Sequence, residues 1–209
     1  MSLLEKLACM QKRKDEVLNQ ELAKELAQKN DKSGIKEIAE NLQNKDKNIQ
    51  NDCIKVLYEI GYLKPELIND FVLDFIQLLS SKNNRLVWGG MIALAVIAEA
   101  KPKEIYDNLS KINRTIEQGS VITVDNGIKV LAKVAASNAK YGQEILPYLM
   151  NHLKSCRPKD VPQHSEHIFC AINSDNKTEY LNILNERMDI LSKTQSARIK
   201  RLIKKVEGL

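Results

Sequence analysis

The hydrophobic residues recur with helical spacing, and the pattern repeats every 37 residues. Residues 54–61 align without gaps on 91–98 and again on 128–135, and a fourth, weaker step reaches Ile168 and Ala171. Repetition at a fixed period of this length is typical of stacked supersecondary units. The alignment makes two sets of residues structurally equivalent: Leu57, Leu94, Leu131 and Ile168 form the first, and Ile60, Ile97, Val134 and Ala171 form the second.

Each repeat contains two amphipathic stretches, so each is expected to form two helices. Residues 66–80 carry apolar side chains at i, i+3 and i+4 positions after Pro65, which is well placed at a helix start. No segment alternates with period two for long, so strands are not expected. The pattern predicts helices over 2–11, 15–29, 34–43, 47–62, 66–80, 84–100, 103–118, 121–138, 142–155, 161–173, 176–191 and 193–207.

This two-helix unit resembles HEAT and armadillo-type repeats. The resemblance rests on unit length, on small residues after the Leu-x-x-Ile pattern (Gly61, Ala98, Ala135), and on Asp52 and Asp125 near second-helix starts. It covers about residues 34–175, and the arginine common in the family's second helix is missing at matched positions. The resemblance implies an all-α, right-handed α-α superhelix of about five helical pairs. Second helices of such proteins line a concave surface that binds a protein, peptide or nucleic acid.

The whole chain, 1–209, is expected to form one HEAT-like repeat domain. Residues 1–33 would be N-terminal capping helices, 34–175 the repeats, and 176–209 a basic C-terminal helical pair. Eight Gly and five Pro in 209 residues favour long helices joined by short loops. An irregular helical bundle is the alternative, but bundles show no gapless repeat.

The middle repeat departs from its neighbours along one face of its second helix. Trp88, Ile92 and Val96 are spaced i, i+4, i+8, where the flanking repeats have Asn51, Lys55 and Glu59 or Asp125, Lys129 and Lys133. An apolar stripe flanked by charge has the composition of an interaction hot spot. We therefore predict a partner-binding face formed by Trp88, Ile92, Val96, Lys129 and Lys133.

Two other readings of this stripe stay open. A central repeat can simply be more buried than its neighbours, or the N-terminal helices can fold over it. Gly89 and Gly90, beside the tryptophan, cost helix stability and therefore predict close approach of another backbone. That backbone belongs either to a neighbouring helix or to a partner.

Soft metal ligands are concentrated in one short segment. His152, Cys156, His164, His167 and Cys170 lie within nineteen residues, with spacings that could align them on two antiparallel helices. Such a set could bind zinc, but the spacing matches no zinc signature, and a hydrogen-bonded histidine in a helix interface is the favoured explanation, so we predict no metal site. We expect no cofactor.

The net charge of +5 comes from one end of the chain. Of 32 basic and 27 acidic residues, six basic and one acidic fall within 190–209, so the remaining chain is neutral. The predicted basic patch is Arg198, Lys200, Arg201, Lys204 and Lys205. Such a patch is either the solvated face of a capping helix or a contact for phosphates or an acidic partner.

No motif for phosphate binding, nucleophilic catalysis or metalloprotease chemistry is present. The longest uncharged apolar run, 86–98, is too short to span a bilayer, and the charged N-terminal segment is unlike a signal peptide. Four scattered cysteines fit reduced thiols and a cytoplasmic location.

These features predict a non-catalytic scaffold that binds a protein or peptide, with no membrane partner. Nucleic-acid binding through the basic C-terminal helix is the alternative. It includes DNA repair by similarity to HEAT-like alkylpurine DNA glycosylases, for which Trp88 is a candidate groove aromatic.

Overall fold

The computed structural model describes residues 2–209 as α-helices joined by short turns, and no strand occurs in that range. The helices are α1 (Val17–Lys29), α2 (Lys32–Glu40), α3 (Lys47–Leu63), α4 (Val72–Leu78), α5 (Asn84–Ile97), α6 (Pro102–Tyr106), α7 (Leu109–Gln118), α8 (Val121–Ser137), α9 (Ala139–Ser155), α10 (Val161–Ile168), α11 (Lys177–Arg187) and α12 (Lys193–Glu207). Short 3₁₀ turns cover Leu3–Lys6, Asn41–Gln43, Pro65–Leu67, Asn69–Phe71, Phe169–Ala171 and Met188–Ile190.

The all-α prediction is confirmed, and the repeat correctly identifies the core. The four residues equivalent to Leu57 are all fully buried, and so are Ile60, Ile97 and Val134. These side chains recur because each second helix turns the same face toward its neighbours. Burial of a leucine or isoleucine side chain contributes roughly 1.5–3 kcal/mol, so this recurring row is a principal source of stability.

Three predicted helices are interrupted. The helix predicted over 2–11 is wrong, since only Leu3–Lys6 forms a 3₁₀ turn there. Two amides in the middle of this segment bond to side chains of other elements instead of preceding carbonyls: Ala8 N–H donates to Asn19 Oδ1 at 3.0 Å, and Cys9 N–H to Asp52 Oδ2 at 2.8 Å. The predicted 66–80 helix begins as two 3₁₀ turns, and the predicted 103–118 helix breaks at 107–108, between α6 and α7.

The chain divides into two compact units, one ending at Gly127 and the other formed by Ile128–Leu209. The boundary falls inside α8, in the middle of the predicted repeat region. In the first unit α3 is central and packs against α1, α2 and α5, while α4 packs against α5 and α6. The surface of α3 and α5 is therefore positioned by most helices of that unit.

Two glycines let α5 lie close to the neighbouring helices. A methyl group at Gly89 would lie 2.7 Å from Ile54 Cγ1 of α3, and one at Gly90 would lie 3.1 Å from the Phe75 carbonyl oxygen of α4. The close approach predicted from this pair is therefore an approach between helices of the same unit. The glycines are explained by packing and do not by themselves indicate a partner.

We expect Gly89→Ala to lower the free energy of unfolding by about 1 kcal/mol. Alanine gains about 1 kcal/mol of helix propensity, but overpacking against the buried Ile54 costs about 1–3 kcal/mol. Chemical denaturation measures the difference. The control is Gly208→Ala, where the nearest atom would be 3.5 Å away, and that variant should be as stable as the wild type. A stabilised Gly89→Ala variant would contradict the packing described above.

The second unit contains α9 to α12, with α10 and α11 both packed against α12 and against α9. Tyr180 of α11 is buried and donates its hydroxyl to the Ser165 carbonyl oxygen at 2.7 Å, which fixes α11 against α10. Ser192 and Gln195 form a capping box at the start of α12. Ile199, Leu202 and Val206 form the buried face of that helix.

Neither a disulfide nor a helix that could span a membrane is found among the described residues. Cys9, Cys53, Cys156 and Cys170 form no disulfide with one another. Within the described residues, each helix is too short or too polar to cross a bilayer.

Candidate functional site: an aromatic face on α3 and α5

Three aromatic side chains form a row across two neighbouring helices. Trp88 extends from α5, and Tyr58 and Tyr62 extend from successive turns of α3. The Tyr58 ring lies 6.3 Å from Trp88 in a tilted arrangement and 5.9 Å from Tyr62 edge to face. Such offset geometries are favoured by aromatic quadrupoles. Tyr58, in the middle of the row, is buried, whereas Trp88 at one end is half-buried and Tyr62 at the other is 56% exposed.

One cation lies over the ring of Trp88 and another over the ring of Tyr58. The Arg85 guanidinium lies 4.8 Å from the Trp88 ring centroid, and the Lys55 ammonium lies 5.0 Å from that of Tyr58. In both helices the cation precedes its aromatic residue by three positions, which places the two side chains on one face. Both are cation–π contacts, which stabilise a partly buried pair by about 0.5–2 kcal/mol.

The N-terminal segment supplies the counter-charge. Glu16 pairs with Arg85 and with Lys55 Nζ, the latter at 2.9 Å, and Glu59 pairs with Lys55 at 2.7 Å. Lys55 is only 6% exposed, so these two carboxylates compensate a buried charge. Burial by itself lowers the pKa of Lys55, but its hydrogen bonds to Glu59 and Glu16 raise that pKa above the usual value.

A cleft of about 290 Å³ opens beside this network. Its polar lining includes three cations (Arg13, Lys14, Arg85), three carboxylates (Asp15, Glu16, Asp52) and two amides (Asn48, Asn51). The formal charges cancel, so the cleft has no net preference for an anion or a cation. Arg85 lines the cleft and also lies over Trp88, so the cleft adjoins the aromatic row, and we call the two together the aromatic face.

The predicted site residues differ in accessibility. Trp88 and Val96 are half-buried in the first unit, and Lys129 and Lys133 are half-buried in the second. Ile92 is only 8% exposed, so the structure places it in the core and the predicted stripe is not a continuous surface. Its repeat equivalent Lys55 is buried as well, because this position of the second helix faces the neighbouring elements.

Sequence reasoning missed the residues that complete this face: Glu16, Arg85, Tyr58 and Tyr62. The repeat alignment could not find the tyrosines, because Tyr58 aligns with Ala95 and Ala132 in the next two repeats. A detectable signal was the shared spacing of a cation and an aromatic residue, Lys55 with Tyr58 and Arg85 with Trp88. Glu16 lies 69 residues before Arg85, and no local pattern connects them.

Acid is expected to release the N-terminal segment from this face. Burial alone raises the pKa of Glu16, but hydrogen bonds from Lys55 and Arg85 outweigh it and hold the pKa below its usual value. Because the folded-state pKa is the lower one, the contact stabilises the fold above about pH 4, the unfolded value, and weakens as pH falls through the folded-state value.

Trp88 fluorescence should report this change, since Arg85 covers the ring and pairs with Glu16. The acid transition should disappear in Glu16→Gln and persist in Glu66→Gln, which alters an exposed glutamate. An unchanged transition in Glu16→Gln would assign it to other groups.

The basic end is partly neutralised. Arg198 forms a bidentate pair with Glu166 of α10 through Nε at 3.0 Å and Nη2 at 2.5 Å, and this pair lowers the pKa of the Glu166 carboxyl. The remaining four predicted cations are exposed on α12: Lys200, Arg201, Lys204 and Lys205. Arg198 therefore fixes α12 to α10, and only the other four present their charge fully to solvent.

The structure brings together three of the five histidine and cysteine residues. Potential ligand atoms of His152, Cys156 and His164 all lie within 4.8 Å of one another. His167 and Cys170 do not belong to this group, and the Cys170 thiol instead donates to the His167 carbonyl oxygen at 3.3 Å. Burial raises the pKa of the Cys156 thiol, while Arg187 nearby acts in the opposite direction.

No family model and no curated protein matches the sequence. Solved structures do match in fold. An engineered protein from the Northeast Structural Genomics Consortium has a TM-score of 0.69 at 16% identity, over 100% of this chain and 98% of that chain. A designed armadillo repeat protein in complex with the peptide (KR)4 has a TM-score of 0.67 at 13% identity, over 86% and 83%.

Computationally designed armadillo repeat proteins for modular peptide recognition are similar to the same degree. Their TM-score is 0.67 at 13% identity, over 86% of this chain and 84% of that chain. Identities this low establish the fold and nothing finer. Together with the 37-residue repeat and its buried positions, they show that the chain has an armadillo/HEAT-like helical repeat fold.

Proposed function

We propose that the protein is a helical-repeat scaffold that binds a peptide segment of another protein at the aromatic face. The observation that carries this proposal is the half-buried Trp88, which continues through Tyr58 to the exposed Tyr62. Aromatic side chains held rigidly by neighbours lose little entropy on binding and dominate interface energies. The same fold in designed armadillo repeat proteins, one of them in complex with a peptide, supports this choice of ligand.

The charges of the face define the kind of peptide. Since cations and carboxylates cancel in the cleft, a strongly basic or acidic peptide would meet as much repulsion as attraction. Asn48 and Asn51 offer amide donors and acceptors that can pair with an extended peptide backbone. We therefore propose a peptide of low net charge with an apolar or aromatic side chain against Trp88. Val96, which lies in the same unit as Trp88, is a candidate further contact.

The experiment uses the single tryptophan as its probe. Peptides selected against the full-length protein from a displayed random library, and synthesised without tryptophan, are titrated while Trp88 fluorescence is recorded. Peptides that bind the aromatic face should change the emission, because they replace water and shift Arg85 over the ring. Selected peptides that bind without any change in emission would place the binding site elsewhere and refute the proposal.

A charge-reversed variant separates this function from nucleic-acid binding. In the variant Lys200, Arg201, Lys204 and Lys205 are replaced by glutamate, which leaves the aromatic face intact. Peptide binding should be unchanged. If the wild type selects no peptide but shifts duplex DNA in a way that the variant abolishes, nucleic-acid binding through α12 replaces the proposal.

A further inference from the structure

We propose that His152, Cys156 and His164 form a three-ligand site for Zn²⁺ in the second unit. The site is separate from the aromatic face and does not depend on peptide binding. Two of its ligands lie at the end of α9 and the third on α10. Imidazole nitrogen and thiolate sulfur are the ligands that Zn²⁺ prefers in proteins.

The local backbone fixes two ligands in register. Cys156 is the C-cap of α9, and its amide donates to the His152 carbonyl oxygen at 2.8 Å, closing the last helical turn. This hydrogen bond places the two side chains one turn apart on one face. On α10, the His164 amide donates to the Asp160 carbonyl oxygen at 2.9 Å, near the start of the helix.

The ligand atoms are already near a coordinating arrangement. His152 Nε2 and His164 Nδ1 are 2.9 Å apart, and the Cys156 sulfur lies within 4.8 Å of a ring nitrogen of each histidine. Zn–N bonds of about 2.0–2.1 Å and Zn–S bonds of about 2.3 Å in tetrahedral geometry require about 3.3 Å between nitrogens and about 3.6 Å between nitrogen and sulfur. The adjustment is about 1 Å or less for each side chain.

Zinc binding requires a change in the protonation of the cluster. The two histidine nitrogens now share one hydrogen, which must move to another nitrogen of its ring so that both lone pairs face the ion. The Cys156 thiol, whose contact with the Leu153 carbonyl oxygen is a weak 3.8 Å hydrogen bond, loses its proton to solvent as the sulfur–zinc bond forms.

The surroundings hold the site together and leave one side open. Arg187 of α11 donates to the carbonyl oxygens of Lys154 and Cys156, which fixes the end of α9. His164 is only 1% exposed, whereas His152 and Cys156 are half-buried, so a fourth ligand such as water can enter from the solvent side.

Cobalt substitution tests the proposal directly. Full-length protein without a histidine tag is stripped with a chelator and titrated with Co²⁺, and then with Zn²⁺ in competition. One equivalent of Co²⁺ should produce a thiolate-to-cobalt charge-transfer band and the visible absorption of a tetrahedral ion, and Zn²⁺ should displace it. Cys156→Ser should abolish the charge-transfer band.

The segment provides matched controls. Cys170→Ser and His167→Asn change the same residue types outside the cluster, and both should bind Co²⁺ as the wild type does. His152→Asn should weaken Zn²⁺ binding by more than the roughly 10–100-fold typical of outer-shell substitutions. Absence of a charge-transfer band in the wild type, or equal bands in Cys156→Ser and wild type, would overturn the proposal. Circular dichroism of each variant verifies that it is folded.

Discussion

Replacing Trp88 with alanine is expected to weaken binding of a selected peptide at least 30-fold, which corresponds to about 2 kcal/mol. The tryptophan is the largest side chain of the aromatic face, and Arg85 and Tyr58 contact its ring. Its removal deletes the contact surface and releases the guanidinium that covers it. Fluorescence anisotropy of a labelled peptide measures the affinity of both proteins.

Two variants make this result specific. Trp88→Phe retains an aromatic surface and should recover most of the affinity. Leu73→Ala removes an exposed leucine of α4, which is 55% accessible, and should bind the peptide as tightly as the wild type. Equal affinity of Trp88→Ala and wild type would show that the peptide binds outside the aromatic face.

Leu94→Ala is expected to lower the free energy of unfolding by about 3 kcal/mol. Leu94 lies on α5 and is fully buried, and removal of a buried leucine costs roughly 2–5 kcal/mol through lost burial and the cavity that remains. Its equivalents Leu57 and Leu131 are also fully buried, so the same substitution there should cost a similar amount. Urea denaturation followed by circular dichroism measures each value.

The exposed Leu73 again serves as the matched control. Leu73→Ala removes the same atoms from a surface position, and its stability should stay within about 0.5 kcal/mol of the wild type. A Leu94→Ala variant as stable as Leu73→Ala would mean that the repeat position does not form the core.

The helical repeat was predictable because it follows from the spacing of apolar residues that are close together in the sequence. Apolar spacing within each 37-residue unit determines which face of a helix is buried, and the comparison of units removes the ambiguity of any one of them. Leu57, Leu94 and Leu131 were therefore recognised as one structural position from the sequence alone, and the structure shows that this position is buried. The 2–11 segment was not, because its amides bond to Asn19 and to other side chains distant in sequence.

The candidate site was predictable only in part. Trp88 was identified because it breaks the repeat pattern, yet Ile92, on the same helical face, is buried. Helical periodicity gives the direction of a side chain but not what covers it. Coverage depends on helices that pack from elsewhere in the chain, and a pattern within one helix contains no information about them.

The sequence by itself determined the helical repeat, its core positions, and the location of the excess positive charge. Only the tertiary structure decided that Glu16 reaches Arg85 and Lys55, and that His152, Cys156 and His164 meet while His167 and Cys170 do not. The physical reason is the separation along the chain of the residues that interact. Periodic burial follows from the geometry of a single helix, whereas a site made of side chains from separate elements exists only after those elements have packed.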